Sequence, residues 1–125
     1  MTLEKRIESF SELGQILRDS LEGKRTRYSS DLDNLIKNQQ FRNAWFTPEN
    51  VRTALNAIAN ELTEDNLINW TNAYPDLKKK IKPVKAGVIM AGNIPLAGFH
   101  DFLSVLISSN SVSCMASISF LSCIV

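Results

Sequence analysis

The sequence is poor in the residues from which reactive sites and disulfide frameworks are built. Its 125 residues include two cysteines and one histidine. Two cysteines are too few for a disulfide framework, so the chain is expected in a reducing compartment, with the cytoplasm as its predicted location. His100 has no second histidine to join it in a metal site, and on a helix it faces away from its neighbour Asp101. A structural role is favoured for His100, and no metal site or pair of catalytic carboxylates is predicted.

The two cysteines are not predicted to be reactive. Cys114 and Cys123 lie in apolar sequence, and neither has a positively charged neighbour that would stabilise a thiolate. Both are therefore predicted to be buried and chemically inert.

The chain also lacks an excess of charge of either sign. Fourteen Lys and Arg residues stand against thirteen Asp and Glu residues. This balance removes the electrostatic basis for nucleic-acid binding, and no nucleic acid is expected as a partner. Four of the first eight residues are charged, so the N-terminus does not read as a secretory signal. The apolar content of 44% is typical of a globular domain or part of one.

Charge is almost absent from the last third of the sequence. From Ala86 onward, Asp101 is the only charged residue. Such a step predicts two units, a helical N-terminal segment at residues 1–83 and a second unit at residues 84–125. The basic run at 78–82, followed by Pro83, lies on the boundary and is interpreted as a solvated linker, with a phosphate site as the alternative.

A membrane-anchored tail is an alternative for the uncharged C-terminal stretch. Residues 102–125 are long enough to cross a bilayer. Eight of them are serines, however, and apolar and small polar residues alternate from Val112 to Phe120. Alternation with period two indicates a strand, so a membrane span is not favoured.

The first unit predicts four amphipathic helices. The apolar spacing indicates helices at about 2–21 and 31–44, the latter with a face that includes Phe41. Thr47, Pro48 and Glu49 supply a cap, a first-turn proline and a first-turn acid for a third helix, and Thr63 opens a fourth. The third helix has a predicted buried face of Val51, Leu55, Ile58 and Leu62. Packing between helices is favoured over a ligand-binding box for the four aromatic residues near helix ends, Trp45, Phe46, Trp70 and Tyr74.

The second unit predicts a strand, a turn, a helix and a strand. Residues 86–91 form a continuous apolar run typical of a strand covered on both faces, and a helical stripe starts at Leu96. The order indicates one right-handed βαβ unit with parallel strands. Two strands alone leave an uncovered face and open edges, so further strands are expected from a longer chain or from self-association through the unpaired strands.

The turn between the first strand and the helix is the candidate site. Nucleotide cofactors commonly bind at the carboxyl end of the first strand of a parallel sheet. The glycines here do not match the established phosphate-binding patterns. The amide of Asn93 serves either as a helix cap or as a donor to a ligand oxygen, as in an oxyanion hole.

Two segments of the chain resemble a known family. They are residues 43–51 (NAWFTPENV), followed by Ala54 and Leu55, and residues 87–96 (GVIMAGNIPL), continuing to Phe102. In this order they resemble the N-terminal region of bacterial acyl-CoA reductases of the LuxC type, which belong to the aldehyde-dehydrogenase superfamily. The likeness covers about residues 1–110.

The resemblance implies a function and a set of site residues. Members of that family reduce a fatty acyl thioester, such as an acyl-CoA, to the aldehyde with NADPH through an acyl-cysteine intermediate. By the resemblance, Asn93 would donate to the thioester oxygen in the oxyanion hole. Four residues would line the NADPH beside its nicotinamide half: Ile89, Met90, Ala91 and Gly92.

The sequence departs from the family pattern after about residue 108. Met115 stands where the family has a lysine that contacts the adenosine ribose or its phosphate, and neither cysteine matches the family's nucleophile. The fold expected is therefore α/β, a helical segment followed by the first βαβ unit of an aldehyde-dehydrogenase-like Rossmann cofactor domain, apparently truncated. This chain by itself is expected to be inactive, with weak or absent NADPH binding. The alternative function is a small helical protein-interaction module with an apolar docking or membrane tail.

Overall fold

The fold of the described residues is mixed α/β, mostly helical, with a small two-stranded parallel sheet. The structure is a computed structural model, and it describes residues 1–79 and 81–116. Two short 3₁₀ turns lie among the elements, at Gln39–Phe41 and Pro75–Lys78. The main elements are α1 (Leu3–Leu21), α2 (Ser29–Asn38), α3 (Pro48–Glu61), α4 (Glu64–Asn72), β1 (Lys85–Met90), α5 (Phe99–Ile107) and β2 (Ser111–Ala116). The α/β class is thereby confirmed at this level.

Threonine caps begin three of the helices. The side chains of Thr2, Thr47 and Thr63 accept hydrogen bonds from backbone N–H groups three residues later, at 3.2–3.3 Å. Each cap satisfies one of the donors that a helix N-terminus leaves without an intrahelical partner. The predicted starts of α1, α3 and α4 are confirmed, and α1 ends two residues before Gly23, as expected.

The predicted extent of the second helix was wrong. Helix α2 ends at Asn38 instead of continuing to residue 44, and Gln39–Phe41 forms a 3₁₀ turn. The tighter turn rotates later side chains off the apolar face of the α-helix. Phe41, predicted to lie on that face, is 80% exposed.

Two hydrophobic clusters form the core, and the predicted face of α3 contributes to both. Val51, Leu55, Ile58 and Leu62 are all buried, as the sequence predicts. Leu17 and Leu96 pack against both clusters and join them. The first cluster contains Leu3, Ile7, Ile58, Leu62, Leu67, Leu103 and Ile107, and the second contains Ile36, Phe46, Val51 and Leu55.

Helix α5 shares the first cluster with α1, α3 and α4 through Leu103 and Ile107. The βαβ unit is therefore packed onto the helical segment rather than held by a linker alone. The predicted boundary between a unit at residues 1–83 and a unit at residues 84–125 stays a prediction from the sequence. In the structure, residues from both sides of this boundary share one hydrophobic cluster.

The aromatic residues at helix ends do not all pack between helices. Phe46 is buried and Trp70 is half-buried, as predicted, but Trp45 is 69% exposed and Tyr74 is 55% exposed. The prediction was wrong for these two because each lies in a connection outside the helices. Trp70 stacks against His100 with ring centroids 5.4 Å apart, so the histidine makes a structural ring contact.

Strands β1 and β2 pair in parallel, with Lys85 opposite Ser111 and Met90 opposite Ala116. With α5 between them, they form the βαβ unit that the sequence predicts. Within the described residues, Val88 and Met90 are buried whereas Ile89 is 84% exposed. The prediction of a strand covered on both faces was therefore wrong, and the predicted uncovered sheet face is confirmed. The rest of the predicted alternating strand, from residue 117, lies outside the described residues.

The uncharged C-terminal stretch is not one helix over the part that the structure describes. Helix α5 ends at Ile107 and β2 begins at Ser111. Across the described ranges, no helix combines the length and apolar character that crossing a bilayer requires. Cys114, predicted to be buried, is half-buried in β2, and Cys123 lies outside the described residues.

Candidate functional site

The candidate site is the turn at residues 91–98, between the carboxyl end of β1 and α5. The residues predicted to line a cofactor do not share one surface there. Successive strand side chains point to opposite faces, so Ile89 lies on the open face of the sheet and Met90 on the packed face. Ala91 is exposed and Gly92 is half-buried in the turn that follows.

Asn93 does not cap the helix, and this reading of the sequence was wrong. Helix α5 begins at Phe99, and its capping residue is Gly98, which provides no side-chain hydrogen bond. Pro95 and Leu96 lie in the turn instead of the first helical turn. Asn93 is exposed, and within the described part of the chain its side-chain amide makes no hydrogen bond, so the amide is free to meet a ligand.

The turn contains a strained residue that its side chain holds in place. Leu96 has a φ of 61°, in the left-handed region that bulky residues rarely occupy. Its side chain packs against both hydrophobic clusters, which fixes the position of the residue. Non-glycine residues in this conformation persist only where surrounding structure holds them, and they cluster at functional sites.

The start of α5 lies directly against the end of β1. A Cβ placed on Gly98 would come within 2.3 Å of Cγ of Met90. The absence of a side chain at Gly98 therefore allows this close approach, and it leaves Met90 on the packed side of the sheet.

A hydrogen bond from Asn43 ties the turn to the helical segment. Asn43 Nδ2 donates to the carbonyl of Gly92, across 49 positions of sequence. Asn43 Oδ1 accepts from the backbone N–H of Trp45 at 3.0 Å, and Asn50 Nδ2 donates to the Trp45 carbonyl at 3.0 Å. These hydrogen bonds hold the connection before α3 in place beside the turn that follows β1.

Sequence reasoning did not single out Asn43 as a site residue. The available signal was its position as the first residue of one of the two segments that carry the family resemblance. Asn43 and Gly92 belong to different segments, and the structure places these segments side by side.

The turn and the residues that flank it in the sequence carry no charged side chain. Between Lys85 and Asp101 the sequence contains no Asp, Glu, Lys or Arg. The N-terminus of α5, where a helix dipole would favour an anion, lies at Phe99 and not at Asn93. The turn therefore presents an exposed amide and open backbone, which suit a carbonyl oxygen better than a phosphate.

Arg6 fixes the other end of α5. Its guanidinium donates to the carbonyls of Ile107 and Met1, both at 2.7 Å, and to the hydroxyl of Ser109. Burial lowers the pKa of Arg6 from its ordinary value, but that value is so high that the group stays charged near neutral pH. A positive charge at the C-terminus of α5 is also favoured by the helix dipole.

Replacing Asn43 by aspartate is expected to loosen the turn. The change removes the donor to Gly92 and places a carboxylate against a carbonyl oxygen, which should lower the free energy of unfolding by about 1–3 kcal/mol. Amide hydrogen exchange at Gly92 and Asn93 should become faster. The control is Asn50→Asp, which loses only the local bond to Trp45. Equal exchange rates at the turn in the two variants would contradict the role assigned to Asn43.

No group of three or more His, Cys, Asp or Glu side chains within the described ranges is placed to hold a metal ion. The strand residue at the position of the expected lysine is Met115, opposite Ile89 in the sheet register. Comparison of the chain with protein-family models, curated proteins and solved structures finds no match.

Proposed function

We propose that this chain is the N-terminal part of an NADPH-dependent acyl-CoA reductase, which converts a fatty acyl thioester to an aldehyde. The observation that carries the proposal is the hydrogen bond from Asn43 to Gly92. It joins the two segments that resemble the LuxC-type family at the carboxyl end of β1. Parallel α/β sheets commonly bind ligands at this end of their strands.

Asn93 is proposed as the oxyanion-hole donor. Its exposed amide would donate to the carbonyl oxygen of the thioester, where negative charge develops during reduction. The amide of Asn93 is exposed, so a thioester oxygen can approach it directly. Loss of one donor of this kind typically lowers kcat by about 10²–10³.

The residues around the turn fit the cofactor in part. NADPH, when bound, supplies the hydride. Ile89, Ala91 and Gly92 offer open surface and backbone beside the turn, whereas the side chain of Met90 is buried and would contribute only its backbone. Among the described residues the one cysteine is Cys114, half-buried in β2, and the resemblance gives it no nucleophilic role. The chain by itself is therefore expected to reduce no acyl-CoA.

Binding of NADPH to the turn is expected to be weak or absent, and any binding is expected to be local. Titration of the ¹⁵N-labelled chain with NADPH should shift the backbone amides of residues 89–93 and the side-chain amide of Asn93. Asn93→Ala should remove the side-chain signal and leave the backbone shifts, since the cofactor contact runs through the backbone. A titration that shifts only amides elsewhere would contradict the proposed cofactor site.

The second candidate is a helical interaction module, favoured by the open sheet face. Ile89 is 84% exposed, more than a finished parallel sheet leaves uncovered. Size-exclusion chromatography separates the two candidates. A discrete complex with a different protein favours the module, whereas aggregation of the purified chain favours part of an enzyme.

A further inference from the structure

A large apolar cavity lies beside the candidate turn. Its volume is about 530 Å³, and residues of α1, α2, α3, β1 and α5 form its walls. The cavity is partly open to solvent, and its volume falls within the range of about 300–1,000 Å³ that is typical of small-molecule sites. Six side chains that contribute to the lining are Leu13, Leu17, Leu35, Met90, Phe99 and Phe102.

The charged side chains that line the cavity are acidic. Glu12 on α1 and Asp31 on α2 both line it, and both are exposed. Among the described lining residues, none is Lys, Arg or His. Arg27 lies over the ring of Tyr28, 4.6 Å from its centroid, but does not itself line the cavity. The cavity thus offers an apolar interior and repels a negatively charged head group.

We propose that this cavity binds a long-chain alkyl compound with an uncharged head group, and that Glu12 and Asp31 exclude the corresponding fatty carboxylate. The apolar lining matches a hydrocarbon chain, and the two acids decide which head group is accepted. The proposal deepens the proposed function and rests on it for the identity of the alkyl compound as the acyl chain of a thioester. Met90 connects the two sites, since it lines the cavity and lies two residues before Gly92.

The test is calorimetric titration of the chain with 1-octanol, 1-nonanol and 1-decanol, without NADPH. Each added methylene should tighten Kd about fourfold, because each buries one more CH₂ group. Decanoate should bind about tenfold more weakly than 1-decanol, or worse, because two carboxylates face it. Since no cofactor or turnover is involved, failure of this titration and failure of the reductase proposal are distinguishable.

Charge reversal provides the sharper arm of the test. The double variant Glu12→Lys and Asp31→Lys should bind decanoate at least as tightly as 1-decanol. Both positions are exposed, so the variant is expected to fold. Glu8→Lys, an exposed acid on α1 that does not line the cavity, should leave the preference for the alcohol unchanged.

A steric variant tests the location. Leu13→Trp should fill part of the cavity and weaken 1-decanol binding, whereas Leu106→Trp, in a separate pocket, should not. The proposal is overturned if 1-decanol does not bind, if Kd is independent of chain length, or if decanoate binds the unmodified chain as tightly as 1-decanol. It is also overturned if the chain forms a dimer that Leu13→Trp abolishes, since a second copy would then occupy the cavity.

Discussion

Among Gly→Ala substitutions in the described part of the chain, Gly14→Ala is expected to cause the largest loss of stability. A Cβ at this position would lie 2.1 Å from the carbonyl oxygen of Leu62 and 2.7 Å from its Cβ. Leu62 is the C-terminal cap of α3 and is buried. The added methyl group would therefore clash with the backbone at the end of α3, at the point where α1 packs against it. The two helices must move apart, and the first hydrophobic cluster lies between them.

The size of the effect follows from two opposing terms. Alanine in place of glycine favours a helix by about 1 kcal/mol. Overpacking of a closed interface costs about 1–3 kcal/mol and occasionally more, and a clash with backbone belongs at the upper end. We expect a net loss of about 2 kcal/mol in the free energy of unfolding, measured by urea denaturation.

Gly87→Ala is the matched control. No atom lies within 4 Å of a Cβ at Gly87, and this position is on the exposed face of β1. Alanine there should be neutral or slightly stabilising. If Gly14→Ala instead stabilises the chain as an ordinary helical substitution would, the close contact of α1 and α3 is wrong.

Replacement of Arg6 by methionine is expected to detach α5 from the start of α1. Methionine keeps the apolar stem but removes the donors to Ile107, Met1 and Ser109. The Ile107 carbonyl, at the end of α5, would be left buried without its partner, which costs about 1–3 kcal/mol and more for a bond to a charged donor. We expect a loss of about 2–4 kcal/mol in the free energy of unfolding.

The same variant should alter local dynamics in β2. Ser109 has a φ of 68° and connects α5 to β2, and the Arg6 side chain holds its hydroxyl. Arg6→Met should therefore increase the amide hydrogen-exchange rates of residues 111–114 more than it increases those of α3. Arg6→Lys should recover only part of the stability, because lysine lacks the planar fork of donors. Arg25→Met, at an exposed arginine, is the control, and an equal loss there would contradict the assigned role.

The sequence predicted the local structure best where short-range chemistry decides it. The cap at Thr47, with Pro48 and Glu49 after it, set the start of α3, and the spacing from Val51 to Leu62 identified its buried face. The parallel pairing of β1 and β2 could also be predicted, because a helix connects the two strands.

The parts that could not be predicted depend on tertiary contacts. Helix α5 begins at Phe99, three residues later than the sequence predicts. The reason is that Leu96 packs against both clusters in a left-handed conformation, which no local propensity favours. The bond from Asn43 to Gly92 joins positions 49 residues apart, so no spacing rule reveals it. The open face at Ile89 was predicted from strand count, whereas the apolar run alone indicated a covered strand.

We propose that residues 85–116 are the first βαβ unit of a larger parallel sheet in an acyl-CoA reductase. The most direct measurement is the genomic DNA sequence from the codon for Ser108 onward, read in all three frames. We expect a frame that encodes a lysine in place of Met115, further strands and a later nucleophilic cysteine. A confirmed stop after Val125, with no such sequence in any frame, would contradict it.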